Sequence, residues 1–223
     1  QNVVVQVYEG LTRYGYKKNE KTGRMEVDPN KILPHLAKSW TVSPDGKVYT
    51  FELRKGVKSP FGNEMTSVDV VWGWNKSIAQ KRTGAFIARA AGVVKVDVSD
   101  QYTVEFTLEA PSSIFLPALT LYTPSIYDST EVKKHATADD PWALKWIDQN
   151  TAGFGAYQLE SLKSGEEAVF VANPNYFGGK PFYDKVVYKE VPNAGTRFTL
   201  LRTGQVHWAE ELTLKQISEL QKD

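Results

Sequence analysis

The sequence predicts an α/β protein, and three observations carry that prediction. Apolar residues recur with period two in two hairpins, near 40–53 and 94–108. A capped helix with apolar residues at i, i+3 and i+4 follows the first hairpin. The last third of the chain runs strand, helix, strand, helix, which is the order of a βαβ unit.

The elements follow in order. Val3, Val5 and Val7 alternate with Val4, Gln6 and Tyr8, giving a strand apolar on both sides that ends at Gly10-Leu11. Such strands belong in covered sheets. Residues 17–34 are polar, with Thr22-Gly23 and Asp28-Pro29-Asn30 as turn signals, so they read as a surface excursion. Trp40 and Val42 then lead into Ser43-Pro44-Asp45-Gly46, where proline presets φ for a type I turn. Tyr49, Phe51 and Leu53 return on one face, opposite Val48, Thr50 and Glu52. Thr66-Ser67-Val68-Asp69 opens a helix with a capping hydroxyl and a carboxylate at its positive end. Val68, Val71 and Trp72 form one apolar strip and Val70 and Trp74 another, so this helix is expected to be buried on two sides.

Residues 80–92 read equally as helix or loop. Val94, Val96 and Val98 rise to Ser99-Asp100, and Tyr102, Val104, Phe106 and Leu108 return with Thr103, Glu105, Thr107 and Glu109 outward. A helix is expected over 114–121, a chain crossing at Thr123-Pro124-Ser125, and short helices over 129–135 and 141–148, the second capped by Asp140 with Pro141 at its first position. Strands over 156–162 and 168–172 precede the breaker Asn173-Pro174-Asn175. A strand over 185–191, a helix over 195–202 closed by Gly204, a strand over 206–209 and a helix capped by Thr213 complete the chain.

Composition excludes several functions. Twenty-seven basic against twenty-six acidic residues give a net charge of +1, and no basic run stands out, so nucleic-acid binding lacks its electrostatic basis. The absence of cysteine removes disulfides, thiolate metal sites and thiol catalysis. His35, His135 and His207 are scattered and lack a helical ligand spacing, so no metal and no cofactor are expected. The carboxylate pairs Asp139-Asp140, Glu166-Glu167 and Glu210-Glu211 are sequence neighbours, and neighbours on a strand face apart, so none forms a general acid/base pair. Asn75-Lys76-Ser77 matches a glycosylation sequon by chance inside a predicted helix, and no dinucleotide loop, phosphate loop or nucleophile elbow is present. No catalytic residue and no enzyme is expected. Glu210 and Glu211 stand out only because they follow a predicted strand, and ligands of open α/β sheets bind beyond strand ends.

LAKSWTVSPDGKVYTFELRKGVK followed by TSVDVVWGWNKS resembles the signature region of the family 5 extracellular solute-binding proteins of bacterial ABC importers, the oligopeptide, dipeptide and nickel type. YEGL at 8–11, Asn173-Pro174-Asn175-Tyr176-Phe177-Gly178-Gly179-Lys180-Pro181 and LLRTGQVHWA at 200–209 are similar to further blocks of that family. The chain departs from the pattern at Ser59–Asn63, where a compact Asp-Gly turn is usual, at Phe177 in place of tryptophan, and at His207 where an acidic residue is common. The first departure is expected to reshape one surface loop.

The resemblance implies a partial periplasmic-binding-protein-like fold (type II, cluster C), with a mixed-sheet main lobe from residues 1–10 and 127–223 and an inserted smaller α+β lobe from 11–126. It also implies a fragment without the C-terminal lobe that supplies most ligand contacts. The implied function is capture of a solute, a peptide before others, by closure of two lobes and delivery to ABC permease subunits in the membrane. An oligosaccharide or metal-chelate receptor of the same family, or a non-transport surface binding module, are the alternatives. The implied protein is a monomer, periplasmic or anchored outside the membrane as a lipoprotein. The cleft candidates in this chain are Phe86, Trp208, Glu210 and Glu211.

Overall fold

The computed structural model describes residues 7–81, 83–121 and 125–221. The strand expected over 3–8 lies mostly outside them. Val7 and Tyr8 are buried, and Gly155 donates its N–H to the Val7 carbonyl at 2.9 Å.

The chain first forms an antiparallel hairpin of β1 (Thr12–Lys18) and β2 (Met25–Pro34). The polar excursion is therefore regular structure, although most of its side chains are exposed. Period two leaves no apolar mark on strands that are solvated on both faces, which is why the sequence read as loop.

A four-stranded antiparallel sheet follows, in the order β3-β4-β6-β5, from β3 (Ala37–Val42), β4 (Val48–Leu53), β5 (Val93–Asp100) and β6 (Thr103–Leu108). Tyr49, Phe51 and Leu53 point into one core with Val104, Phe106 and Leu108, as the alternation requires. In the return hairpin Val96 is buried, while Val94 and Val98 are exposed. Burying each of these rings and leucines stabilises the fold by about 1.5–3 kcal/mol.

Helix α1 (Ser67–Ala79) packs on this sheet. The Asp69 carboxylate accepts the Thr66 N–H at 2.8 Å and the Thr66 hydroxyl at 3.1 Å, so Asp69 secures the first turn. Val70 and Trp74 are buried in one core with Val71 against it, while Trp72 packs against another, its ring edge-on to Tyr127 and Trp142, so α1 is covered on two sides as expected, although Val68 itself is exposed. Gly73 is required, because a Cβ there would lie 2.1 Å from the Ser125 carbonyl oxygen. The undecided stretch contains helix α2 (Thr83–Ala90), and the helix expected over 114–121 shrinks to α3 (Phe115–Ala118).

Beyond residue 125 come α4 (Ser129–Lys133), α5 (Leu144–Ile147), and an antiparallel meander of β7 (Tyr157–Lys163), β8 (Glu167–Ala172) and β9 (Lys185–Lys189). Asp140 does cap, taking the N–H groups of Leu144 and Lys145 at 2.8 and 2.9 Å, but α5 starts at Leu144 and not at Pro141. Helices α6 (Ala194–Arg202) and α7 (Leu214–Leu220) end the described chain. The predicted strand over 206–209 is a loop, so the expected βαβ unit is not made. Among the described residues every strand pairing is antiparallel, so of the mixed sheet expected for the main lobe only an antiparallel part is seen.

Two hydrophobic clusters form. One joins residues from Leu11 to Ile126 with Phe154, and the other joins Val7 and Tyr8 with residues between Tyr127 and Phe170. The first unit closes on itself: the Thr12 hydroxyl donates to the Leu116 carbonyl at 3.2 Å, and the Thr12 N–H reaches the Leu119 carbonyl at 3.4 Å. Gly10 sits against the same carbonyl so tightly that a Cβ would lie 2.2 Å from its oxygen.

Polar side chains join the two units. Asp128 is fully buried and accepts the Ser59 hydroxyl at 2.6 Å, the Asn63 amide at 2.9 Å and the Glu131 N–H at 2.9 Å. Asp69 accepts the Ser129 N–H at 2.8 Å, and Asn175 donates to the Ser59 carbonyl at 3.0 Å. The loop at Ser59–Asn63 is thus a buried joint and not only a surface feature, because Ser59 is covered by Asp128 and Asn175.

Candidate functional site

The candidate cleft residues fall in two places. Trp208, Glu210 and Glu211 lie together on the loop between α6 and α7. Phe86 lies on α2, beside a separate hollow that no residue of that loop lines.

The loop is built from both ends. Asn193 caps α6 by accepting the Thr196 N–H at 2.9 Å, and Gly204 closes the helix at φ +71°. Gln205 then donates its N–H back to the Leu200 carbonyl at 2.9 Å. On the far side Thr213 and Gln216 form a capping box, with the Thr213 N–H donated to Gln216 Oε1 at 2.9 Å and the Gln216 N–H to Thr213 Oγ1 at 3.3 Å. Gln216 also donates its side-chain amide to the Ala194 carbonyl at 3.3 Å, tying α7 to α6.

Arg197 fixes the middle. Its guanidinium donates to the carbonyls of Val191 at 2.7 Å, Pro192 at 2.8 Å, Glu210 at 3.1 Å and Glu211 at 3.2 Å. An arginine in the first turn of a helix opposes the helix dipole; four carbonyl acceptors offset that. With the Glu210 and Glu211 carbonyls drawn inward, the Glu211 side chain is left 87% exposed, and its carboxylate lies 3.9 Å from Arg197. Glu211 adopts a left-handed φ of +53°, a conformation that costs a non-glycine residue about 1 kcal/mol.

Tyr188 stands behind the loop, its ring edge-on to Phe170 at 5.9 Å. Burial first, and then the Glu210 charge, push the Tyr188 hydroxyl above its usual range. Trp208 presents an open ring, 63% exposed. The loop therefore carries an exposed aromatic ring at Trp208 and, two and three residues on, two glutamates whose backbone carbonyls Arg197 holds. Such a surface suits a cationic or amine-bearing group with an apolar portion.

Phe86, also largely exposed, borders an apolar hollow of about 270 Å³ formed with Tyr14, Ile87, Ile114, Pro117 and Leu121. No group of three or more histidine, aspartate or glutamate side chains that could hold a metal occurs among the described residues. No helix among the described residues is long and apolar enough to cross a membrane.

Arg197 and Tyr188 escaped the sequence reading. The signal for Arg197 was available: a helix-capping asparagine followed four residues later by a cation demands acceptors nearby. Glu210 and Glu211 were singled out for following a strand, and that reason fails, since they sit on a loop between two helices.

The family model described as "Bacterial extracellular solute-binding proteins, family 5 Middle" matches residues 31–223. The Escherichia coli (strain K12) protein named "Probable D,D-dipeptide-binding periplasmic protein DdpA" is 33% identical over 218 residues, covering 97% of this chain and 40% of that protein. The nickel-binding periplasmic protein of the same organism is 29% identical over 201 residues, covering 90% of this chain and 35% of the relative. Among solved structures, the periplasmic binding protein DppA from Helicobacter pylori in complex with the peptide STSA superposes with a TM-score of 0.78 at 28% identity, covering 99% of this chain and 44% of that one. The chain thus spans about two fifths of the length of the relatives it matches.

Proposed function

The chain belongs to the bacterial extracellular solute-binding proteins of family 5, and we propose that it supplies one wall of a clamp that captures a solute, a peptide before others, for an ABC importer. The observation that carries this reading is the family match over residues 31–223. Two relatives, one named as a probable D,D-dipeptide-binding protein and one solved in complex with a peptide, support the peptide. The 29% identity to a nickel-binding protein supports a second reading, a receptor for a metal chelate.

In this proposal Trp208, Glu210 and Glu211 face the solute, and Phe86 offers an apolar contact from the smaller lobe. The carboxylates would receive an amine, and the Trp208 ring a flat or apolar portion. A solute site buries most of its ligand, and an open loop alone does not. The opposing wall would come from the remainder of a protein of the relatives' length. Closure is then a population shift driven by contacts made only in the closed form, which docks on permease subunits. The proposed division places residues 11–126 in the smaller lobe and residues 1–10 and 127–223 in the main one. The membership of the two hydrophobic clusters supports it. The proposed protein works as a monomer in the periplasm, or outside the membrane on a lipid anchor; the relatives' periplasmic names support the compartment.

Equilibrium dialysis of the full-length protein against mixed peptides, nickel chelates and oligosaccharides tests the reading. Retention of peptides is expected. Retention of sugars alone would overturn the substrate class, and retention of nothing would overturn the capture role.

A further inference from the structure

The β1–β2 hairpin is the most exposed regular structure of the smaller unit, and its chemistry is lopsided. Residues 12–34 carry six basic side chains (Arg13, Lys17, Lys18, Lys21, Arg24 and Lys31) against three acidic ones (Glu20, Glu26 and Asp28), a net of +3 in a chain whose total is +1. Tyr16, Met25 and Val27 are 59%, 64% and 49% exposed. Tyr16 pairs directly with Val27, and Lys18 with Met25, so strand alternation puts these four side chains on one face.

The tip is rigid. Asn19 Oδ1 accepts the N–H groups of Lys21 and Thr22 at 3.0 and 3.1 Å, Gly23 turns at φ +70°, and the Asn19 N–H reaches the Arg24 carbonyl at 2.8 Å. The Asn19 amide also holds Glu26 at 2.9 Å, and Lys17 lies 3.9 Å from the same carboxylate. Among the described residues Lys18, Lys21 and Arg24 have no carboxylate at ion-pair distance. Of the three acidic side chains Glu26 is thus drawn toward Asn19 and Lys17, on the face opposite Tyr16 and Val27, while Lys18 shares the apolar face.

We propose that this hairpin is a docking element for an anionic lipid surface, laying Tyr16, Met25 and Val27 into the headgroup layer with Lys18, Lys21 and Arg24 on lipid phosphates. Charge complementarity supports that occupant. Three apolar side chains are too few for the centre of a protein–protein interface, which takes about 20–30 residues a side. Shallow apolar insertion inside a basic collar is what a headgroup layer accepts, each cation adding roughly fivefold to the partition. The proposal is independent of the solute, since none of these residues lies on the loop of Trp208.

Co-sedimentation of the full-length protein, prepared without attached lipid, tests it. The probes are vesicles of equal parts phosphatidylglycerol and phosphatidylcholine, and vesicles of phosphatidylcholine alone. Binding to the anionic vesicles only, weakening as salt rises, is expected. The combined variant Lys18→Ser, Lys21→Ser, Arg24→Ser should lower it about a hundredfold. Met25→Ser should lower it severalfold at unchanged charge, with unchanged circular dichroism as the check on folding. Equal binding to both vesicles, no binding at low salt, or retention by both variants would each overturn the proposal.

Discussion

The Ser59 hydroxyl donates to the buried Asp128 carboxylate at 2.6 Å, joining positions 69 residues apart. That one bond ties the loop after β4 to the cap of α4, and hence one hydrophobic cluster to the other. Asp128→Ala strands the Ser59 hydroxyl, the Asn63 amide and the Glu131 N–H together. It should destabilise the chain by about 3 kcal/mol. Ser59→Ala should cost less, and a double-mutant cycle in urea should return a coupling of about 1–3 kcal/mol. A coupling near zero would dissolve the joint.

Phe51 and Phe86 should behave oppositely. Phe51 is fully buried and meets Phe106 edge-on at 5.6 Å, so Phe51→Ala should cost about 3–5 kcal/mol. Phe86 is largely exposed, so Phe86→Ala should change stability by about 0.5 kcal/mol or less. Its effect belongs in solute affinity of the full-length protein. A large thermal shift for Phe86→Ala would mean that the ring is structural.

Arg197→Lys tests whether the loop needs a fork of donors. A lysine keeps the charge but cannot serve four carbonyls spread over two segments. Hydrogen exchange at residues 205–212 should rise in both Arg197→Lys and Arg197→Ala, with solute affinity falling in the full-length protein. Wild-type exchange in the lysine variant would refute the role of geometry.

Burial pushes the Asp69 carboxyl above its ordinary 3.8, against the pull of the Thr66 and Ser129 N–H groups. The folded form therefore binds the proton more tightly than the unfolded chain. Its contribution is greatest below 3.8 and is lost as pH rises through the higher folded value. Asp69→Asn should remove that slope. Glu131 works in the other direction: Lys134 first, and then His135, hold it below 4.5, so its contribution is present above 4.5 and lost as pH falls. Denaturation midpoints of wild type, Asp69→Asn and Glu131→Gln across acid pH separate the two. Parallel curves for wild type and Asp69→Asn would contradict the assignment.

Sequence patterns disclosed what local physics decides. Tyr49, Phe51 and Leu53 announced a half-buried strand by alternation alone, and Thr66 with Asp69 announced a helix start. Nonlocal partners left no such trace. Val206–His207–Trp208–Ala209 alternates like a strand, yet among the described residues no strand pairs with it, and Arg197 holds the following backbone instead. Nothing in the local pattern marks Asp128, whose partners Ser59 and Asn63 come from the other unit. The family blocks were legible because they are ordered along the chain, whereas the substrate was not, because its contacts depend on side chains that the local pattern does not constrain.

The Thr12 N–H and the Leu119 carbonyl meet at 3.4 Å, with Gly10 packed against the same oxygen. Residues 11–119 thus form a loop closed at its two ends, while Ser59, Asn63 and Asp69 within it still reach across to Asp128 and Ser129. A loop of this kind tolerates growth or trimming at its outer end, as at the Asn19–Arg24 turn, without shifting the register of the meander or of the Trp208 loop. The price of that closure falls on Gly10, where the Leu119 carbonyl leaves no room for a side chain.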